Sequence, residues 1–399
     1  MTQVFMAIIT KSIWILSLIS LFTDAASEML YPILPIYLKT VGFSVLLIGI
    51  LEGIAEAVAG FSKGYFGKWS DLSGKRVPFV QLGYSLSAIA KPLQGLFIFP
   101  FWIFFARTVD RLGKGIRTGA RDAILSDEAT AETKGRVFGF HRSMDTLGAV
   151  IGPSLALLYL WFYPENYREL FLLAFLPGIG AVILSLFLKE KTKISVTKTH
   201  LPGLMDFLKY WKESPVEYRK LLFGLLFFSL FNSSDVFLLL QTKESGLNDS
   251  EVIGMYIFYN LIYALFAYPI GILADKLGLK NIFIFGLLLF SIVYFGMAFS
   301  SHWTVSAILF LIYGIYGAST EGVSKAWISN IAEKSDTATA IGTYTALQSI
   351  AALISSSMAG LIWYFWGAAF TFIITASAAI ISAFYLFFTS NYIKKTKSV

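Results

Sequence analysis

Long apolar stretches follow one another from Ile13 to Phe388, separated by short polar breaks. A helix needs about 20 apolar residues to cross the hydrocarbon of a bilayer. On that measure twelve spans are predicted. Six lie near 12–38, 45–66, 77–98, 100–120, 136–160 and 168–188, and six near 221–241, 250–270, 281–300, 304–328, 337–362 and 367–390. The first stretch is long enough to span and lacks a clear cleavage site, so it reads as a retained helix, not a signal peptide. Charges interrupt the fourth and fifth spans. The longest polar stretch, 189–220, divides the chain into an N-terminal six-helix bundle (1–188), a linker (189–220) and a C-terminal six-helix bundle (221–399). Within the linker, Leu204, Phe207, Leu208 and Trp211 fall at i, i+3, i+4 and i+7, with Lys209 and Lys212 elsewhere. That spacing predicts a short amphipathic helix, either lying on the cytoplasmic membrane face or serving as a plain linker.

Composition narrows the function classes. The chain is 56% apolar and 14% charged, where soluble domains average about a quarter charged residues. It has no cysteine, which excludes disulfides, thiolate metal sites and cysteine nucleophiles. Its three histidines, His141, His200 and His302, do not fall at metal-ligand spacing. No Gly-x-x-x-x-Gly-Lys-Ser/Thr phosphate loop occurs, which argues against ATP-driven pumping. Neither an enzyme nor a cofactor-dependent protein is expected. The net charge of +7 does not indicate nucleic acid, because the basic residues sit in alternate loops. With both termini cytoplasmic, twenty Lys and Arg fall in cytoplasmic segments and three (Lys39, Arg168 and Lys243) in outer loops. That bias sets the orientation in an inner membrane.

The two halves repeat. Between spans two and three the chain reads Gly67-Lys-Trp-Ser-Asp71-Leu-Ser-Gly74-Lys75-Arg76. Between spans eight and nine, 204 residues later, it reads Gly271-Ile-Leu-Ala-Asp275-Lys276-Leu-Gly278-Leu-Lys280. These loops resemble the Gly-x-x-x-Asp-x-x-Gly-basic signature of the major facilitator superfamily, and span count, central linker and termini resemble that family along the whole chain. The resemblance implies an all-α membrane protein of twelve transmembrane helices in two pseudo-symmetric six-helix bundles. It also implies a latch of Gly67, Asp71, Gly74, Lys75, Arg76 and Asp275, in which Asp71 faces the N-terminus of span eleven near Asp336-Thr337, where free N–H groups favour an anion. In span five, Gly148-Ala-Val-Ile-Gly152-Pro153 is similar to the Gly-x-x-x-Gly-Pro element of the proton-antiporter branch, with Gly148, Gly152 and Pro153 as helix-packing residues. Ser154, Leu155 and Ala156 follow where that branch usually continues with glycine.

Ionisable residues inside spans are expensive and usually functional. Asp24 and Glu28 share a face of span one, Glu52 and Glu56 a face of span two, and Glu321 and Lys325 a face of span ten. Lys91 lies in span three, His141, Arg142 and Asp145 in span five, and Asp235 in span seven. In span four Arg107, Asp110, Arg111, Lys114, Arg117 and Arg121 recur every three or four residues, a cationic stripe within about 120° of the helix surface. Arg111-Leu-Gly-Lys114-Gly115 is similar to the branch's Arg-x-x-Gln-Gly, and both Arg107 and Arg111 are candidates for its arginine. In the family, spans one, four, seven and ten line the cavity. Candidate proton-coupling residues are therefore Asp24 and Glu28, and candidate substrate-binding residues are Arg107, Arg111, Asp235, Glu321 and Lys325, although Glu321 and Lys325 could satisfy each other. Tyr259, Tyr263, Tyr313, Tyr316 and Trp327 could line a cavity or serve as ordinary packing. The expected function is a monomeric secondary transporter that exchanges a small organic solute for protons. The alternatives are uptake of an organic anion by the basic face of span four, or a receptor on the same fold.

Overall fold

The computed structural model describes residues 8–190, 201–300 and 302–396. His200, Lys397 and linker residues 191–200 lie outside that set. Sixteen helices of seven or more residues are described. They are α1 (Lys11–Glu28), α2 (Leu34–Thr40), α3 (Val45–Ser73), α4 (Val77–Leu96), α5 (Pro100–Asp127), α6 (Lys134–Phe162), α7 (Tyr167–Leu173) and α8 (Phe175–Ser185) in the first half. After the linker come α9 (Asp206–Glu213), α10 (Val216–Ser229), α11 (Val236–Glu244), α12 (Asp249–Leu277), α13 (Leu279–Phe299), α14 (Trp303–Ile331), α15 (Thr337–Trp366) and α16 (Ala368–Thr396).

Nine spans are single helices and three are broken. Spans one and seven were expected as unbroken helices. In span one α1 ends at Glu28, and Met29–Ile33 form turns before α2. Pro32 and Pro35 account for this, because proline lacks the N–H and clashes with the preceding turn. In span seven α10 stops at Ser229 and α11 starts at Val236. The intervening Asn232, Ser233, Ser234 and Asp235 are residues whose side chains compete for backbone hydrogen bonds. Here the Val236 amide donates to Ser234 Oγ (3.3 Å) and the Ser234 amide to Ser356 Oγ (3.3 Å). Span six divides at Ala174, between α7 and α8. Among the described residues, seven helical segments are long and apolar enough to cross a membrane unaided. The other spans are the broken spans one and seven, the charge-bearing α3 and α5, and α4, whose apolar residues are diluted by Gln81, Lys91, Gln94 and two prolines.

Local chemistry sets several helix ends. Ser44 Oγ accepts from the Leu47 amide at the start of α3. Asn248 and Glu251 form a reciprocal capping box at the start of α12. Gly74 and Gly278, which end α3 and α12, have φ of 64° and 96°, a conformation that costs glycine little.

The described residues form two compact units. One comprises Met1–Thr130, Met144–Tyr210 and Glu333–Ala346, and the other Ala131–Ser143, Trp211–Ala332 and Leu347–Val399. In the first unit the break of span one is embedded in an apolar cluster that includes Met29, Leu30, Tyr37, Ile103 and Phe171. In the second, Phe228, Phe290, Tyr294 and Phe372 meet in sequence, Phe290 stacked on Tyr294 and the outer two edge-on, with ring centroids 4.1–5.6 Å apart. Large apolar side chains such as Phe101, Trp161 and Phe384 stay exposed, as a lipid-facing surface requires. Helices in lipid gain little from hiding apolar surface and associate through close packing at small residues. Gly83 and Gly113 show this at the α4–α5 crossing, where a Cβ on either would come within 2.6 Å of the other's carbonyl oxygen.

Candidate functional site

The repeated loop motif builds the same device twice. At the end of α3, beyond the apolar part of span two, Asp71 Oδ2 accepts from the Thr339 amide (2.7 Å) and the Thr339 hydroxyl (2.8 Å), and Oδ1 from the Ala338 amide (3.4 Å). These are free amides in the first turn of α15, so the carboxylate sits at the positive end of that helix. Gly67 lets the helices touch, since a Cβ there would lie 2.5 Å from the Ala338 carbonyl oxygen. Arg76, almost fully buried, donates to Asp71 Oδ1 (3.3 Å), to the Lys334 carbonyl (3.1 Å) and to Asp127. Its own amide and that of Val77 donate to Glu190 (2.9 Å each), which caps α4. Lys75, which the resemblance places in the latch, is exposed and makes no ion pair among the described residues. Burial pushes Asp71 up to about 6, against the opposing pull of Arg76 and the two Thr339 hydrogen bonds.

The second copy meets α6. Asp275 accepts from the Gly135 amide (2.7 Å), the Arg136 amide (3.1 Å) and Arg136 Nε (2.7 Å). Gly271 stands where Gly67 stands, with a Cβ position 2.4 Å from the Gly135 carbonyl oxygen. Burial raises the Asp275 carboxyl from its ordinary range, and the Arg136 hydrogen bonds hold it back.

Span four carries its stripe into a row of carboxylates. Arg107 makes a bidentate pair with Glu52 (Nε–Oε1 2.8 Å, Nη2–Oε2 2.9 Å) and reaches Asp110 (3.5 Å). Arg111 meets Glu56 (3.2 Å) and Glu52 (3.7 Å). Lys91, 2% exposed, is held by Asp110 (2.9 Å). Arg117 donates to Ser87 (2.6 Å) and lies over the Tyr84 ring, and Arg121 pairs with Asp122 (2.8 Å). Glu52 and Glu56 are thus members of the site that reading one helix at a time had left out. Their i, i+4 spacing on span two was the available signal.

Span one supplies the other acids. Asp24 lies close enough to Asp145, Glu28 and Lys114 for all three charges to act on it. Ser20 donates to Asp145. The cation beside Asp24 is therefore Lys114, while Arg107 and Arg111 face Glu52 and Glu56. Gly148 and Gly152 bring span five against this face. A Cβ on either would fall 2.4 Å from the carbonyl oxygens of Leu21 and Ala25 respectively.

In the second unit, Asp235 accepts from the Tyr259 hydroxyl and from Ser234 Oγ (3.3 Å). Glu321 meets Arg142 (3.3 Å), whose Nε also donates to the Tyr263 hydroxyl (2.7 Å). Lys325 follows one turn later on α14, half-buried. Arg142 belongs to this group, although the sequence alone offered no partner for it.

Comparison with known proteins extends this picture. The Major Facilitator Superfamily family model matches residues 16–258 and 221–398. An uncharacterised MFS-type transporter of Methanocaldococcus jannaschii is 33% identical over 386 residues, 95% of each chain. A multi-drug resistance efflux pump PmrA homologue of Lactococcus lactis is 24% identical over 320 residues, 76% of each chain. Among solved structures, the human organic anion transporter MFSD10 (TETRAN) superposes with a TM-score of 0.79 at 17% identity, covering 94% of this chain and 98% of that one. The Escherichia coli fucose:proton symporter FucP gives 0.73 at 10% identity, covering 94% and 98%. At these identities the two structures speak for the fold.

Proposed function

This chain belongs to the major facilitator superfamily, and from that premise we propose that it exports a small organic solute across the inner membrane in exchange for protons. It would work as a monomer by alternating access, with both termini cytoplasmic. The observation that carries the reading is the Asp24–Asp145 carboxyl pair beside Lys114. Two neighbouring acids, which cannot both ionise without repulsion, next to a cation that competes for the negative charge, make a site that can load and release a proton. Glu28, one turn along α1, is the second acid of the relay. Asp71, Gly67, Gly74 and Arg76, with Asp275 as the repeat, form the latch that holds one conformation of the cycle, and Gly148, Gly152 and Pro153 set how closely span five approaches Asp24.

Uptake of an organic anion at span four, the solute class named for the human neighbour, requires Arg107 and Arg111 to release Glu52 and Glu56. The bidentate Arg107–Glu52 contact weighs against it. The efflux homologue in Lactococcus lactis agrees with export. The test is a pH-jump flux assay in proteoliposomes with Asp24→Asn, Glu28→Gln and the double variant. Loss of proton-driven flux is expected, and full retention in all three would refute the assignment.

A further inference from the structure

The carboxylates of α3 and α5 have basic partners: Glu52 with Arg107, Glu56 with Arg111, Asp110 with Lys91 and Asp122 with Arg121. Glu321 of α14 has Arg142. Asp235 differs. Among the described residues no lysine, arginine or histidine pairs with it, and its hydrogen bonds come from two neutral hydroxyls, Tyr259 and Ser234. It stands in the unwound stretch between α10 and α11, and it is half-buried. An uncompensated carboxylate within a membrane span is expensive and marks an ion or substrate pathway. Unwound segments inside spans are where transporters place such sites.

One turn before it, Asn232 donates its Nδ2 to the Tyr316 hydroxyl (3.3 Å), while its Oδ1 is buried with no hydrogen-bond partner. A buried acceptor without a donor is costly. Aromatic rings surround the pair. Tyr259 lies 5.4 Å from Tyr256, 5.3 Å from Tyr313 and 5.9 Å from Phe310, and Tyr313 lies 5.2 Å from Tyr316. The cluster offers one negative charge, one unused carbonyl oxygen and several ring faces. Each of these attracts a positively charged N–H group and none attracts an anion. A metal cation of the hard class takes six or more oxygens, more than the two carboxylate oxygens and one amide oxygen supplied here.

We infer that Asp235, Asn232 and the tyrosines around them bind an organic ammonium ion, with the charge on Asp235, an N–H on Asn232 Oδ1 and the apolar body against the rings. The inference deepens the transport reading by naming its substrate class, and rests on that reading only in taking the bound cation as cargo.

The experiment uses the full chain, purified in detergent, and two fluorescent probes with the same dansyl group. Dansylcadaverine carries a primary ammonium and dansylglycine a carboxylate. Saturable binding of dansylcadaverine alone is expected. Asp235→Asn should weaken it at least tenfold, Asp235→Glu should keep part of it, and Tyr259→Phe and Asn232→Leu should each weaken it several-fold. The last two report on the site even if Asp235→Asn fails to fold. Wild-type affinity in a folded Asp235→Asn variant, preference for dansylglycine, or no saturable binding of dansylcadaverine by the wild type overturns the inference. Failure of the proton-coupled reading looks different. Proton-driven flux would then survive loss of Asp24 and Glu28, while ammonium binding would still depend on Asp235.

Discussion

Asp71→Asn tests the proposed latch through its pH dependence. In the latched state burial holds the Asp71 carboxyl at about 6, and released into water it returns to its ordinary value of 3.8. The latched state therefore holds the proton more tightly. Below about pH 4 both states are protonated and the latch is at its strongest. Between about 4 and 6 the released state ionises first, so the latch weakens as pH rises. Above about 6 both are ionised and the dependence ends. The gap between the two values corresponds to about 3 kcal/mol, or two powers of ten in the equilibrium. Asparagine has the same shape without the titration, and its side-chain oxygen can still accept from the Thr339 amide, so the variant should stay latched and lose the dependence between pH 4 and 6. Asp71→Ala removes the acceptor from the first turn of α15 and should favour the released state at every pH. Because the chain contains no cysteine, single cysteines introduced at each face report the two states by their labelling rates. A labelling ratio that still changes between pH 4 and 6 in Asp71→Asn would refute the reasoning.

Other outcomes follow from packing and charge. Asp110→Asn leaves Lys91 and Arg107 short of a buried carboxylate and should cost about 3–5 kcal/mol, read as a fall in Tm that Lys91→Met in the same chain partly restores. Gly152→Val drives a side chain into the Ala25 carbonyl of α1 and should destabilise by about 1–3 kcal/mol, measured by thermal unfolding in detergent. Arg107→Lys keeps the charge but cannot reproduce two parallel bonds to Glu52. It should lower Tm by less than Arg107→Gln does, and equal losses in the two variants would show that the bidentate geometry, and not the charge, matters there.

Span positions were legible because hydropathy over some 20 residues averages out local detail. The same averaging hid the breaks in spans one and seven. Pro32, Pro35 and the Asn232–Asp235 run were visible, but five or six residues barely alter a window of that width. The stripe on span four was legible from its period, whereas its partners were not. Spacing within one helix shows that Glu52 and Glu56 share a face, and only the packing of α3 against α5 shows that this face meets Arg107 and Arg111. Asp235 was visible as a charge in a span. That no basic residue among those described pairs with it is a property of everything around it, and no single stretch of sequence holds that information.

The order in which the chain is made gives Arg76 a second significance. Thr339, which closes the Asp71 socket, lies 268 residues downstream, so most of the protein leaves the ribosome before it exists. Arg76 is five residues from Asp71, and its other acidic partner, Asp127, is 51 residues away. The first half can therefore enter the bilayer with this carboxylate already matched, guarded by its neighbour through most of synthesis. When α15 arrives, its first-turn amides join a charge pair that is already assembled, and a buried acid never has to wait alone.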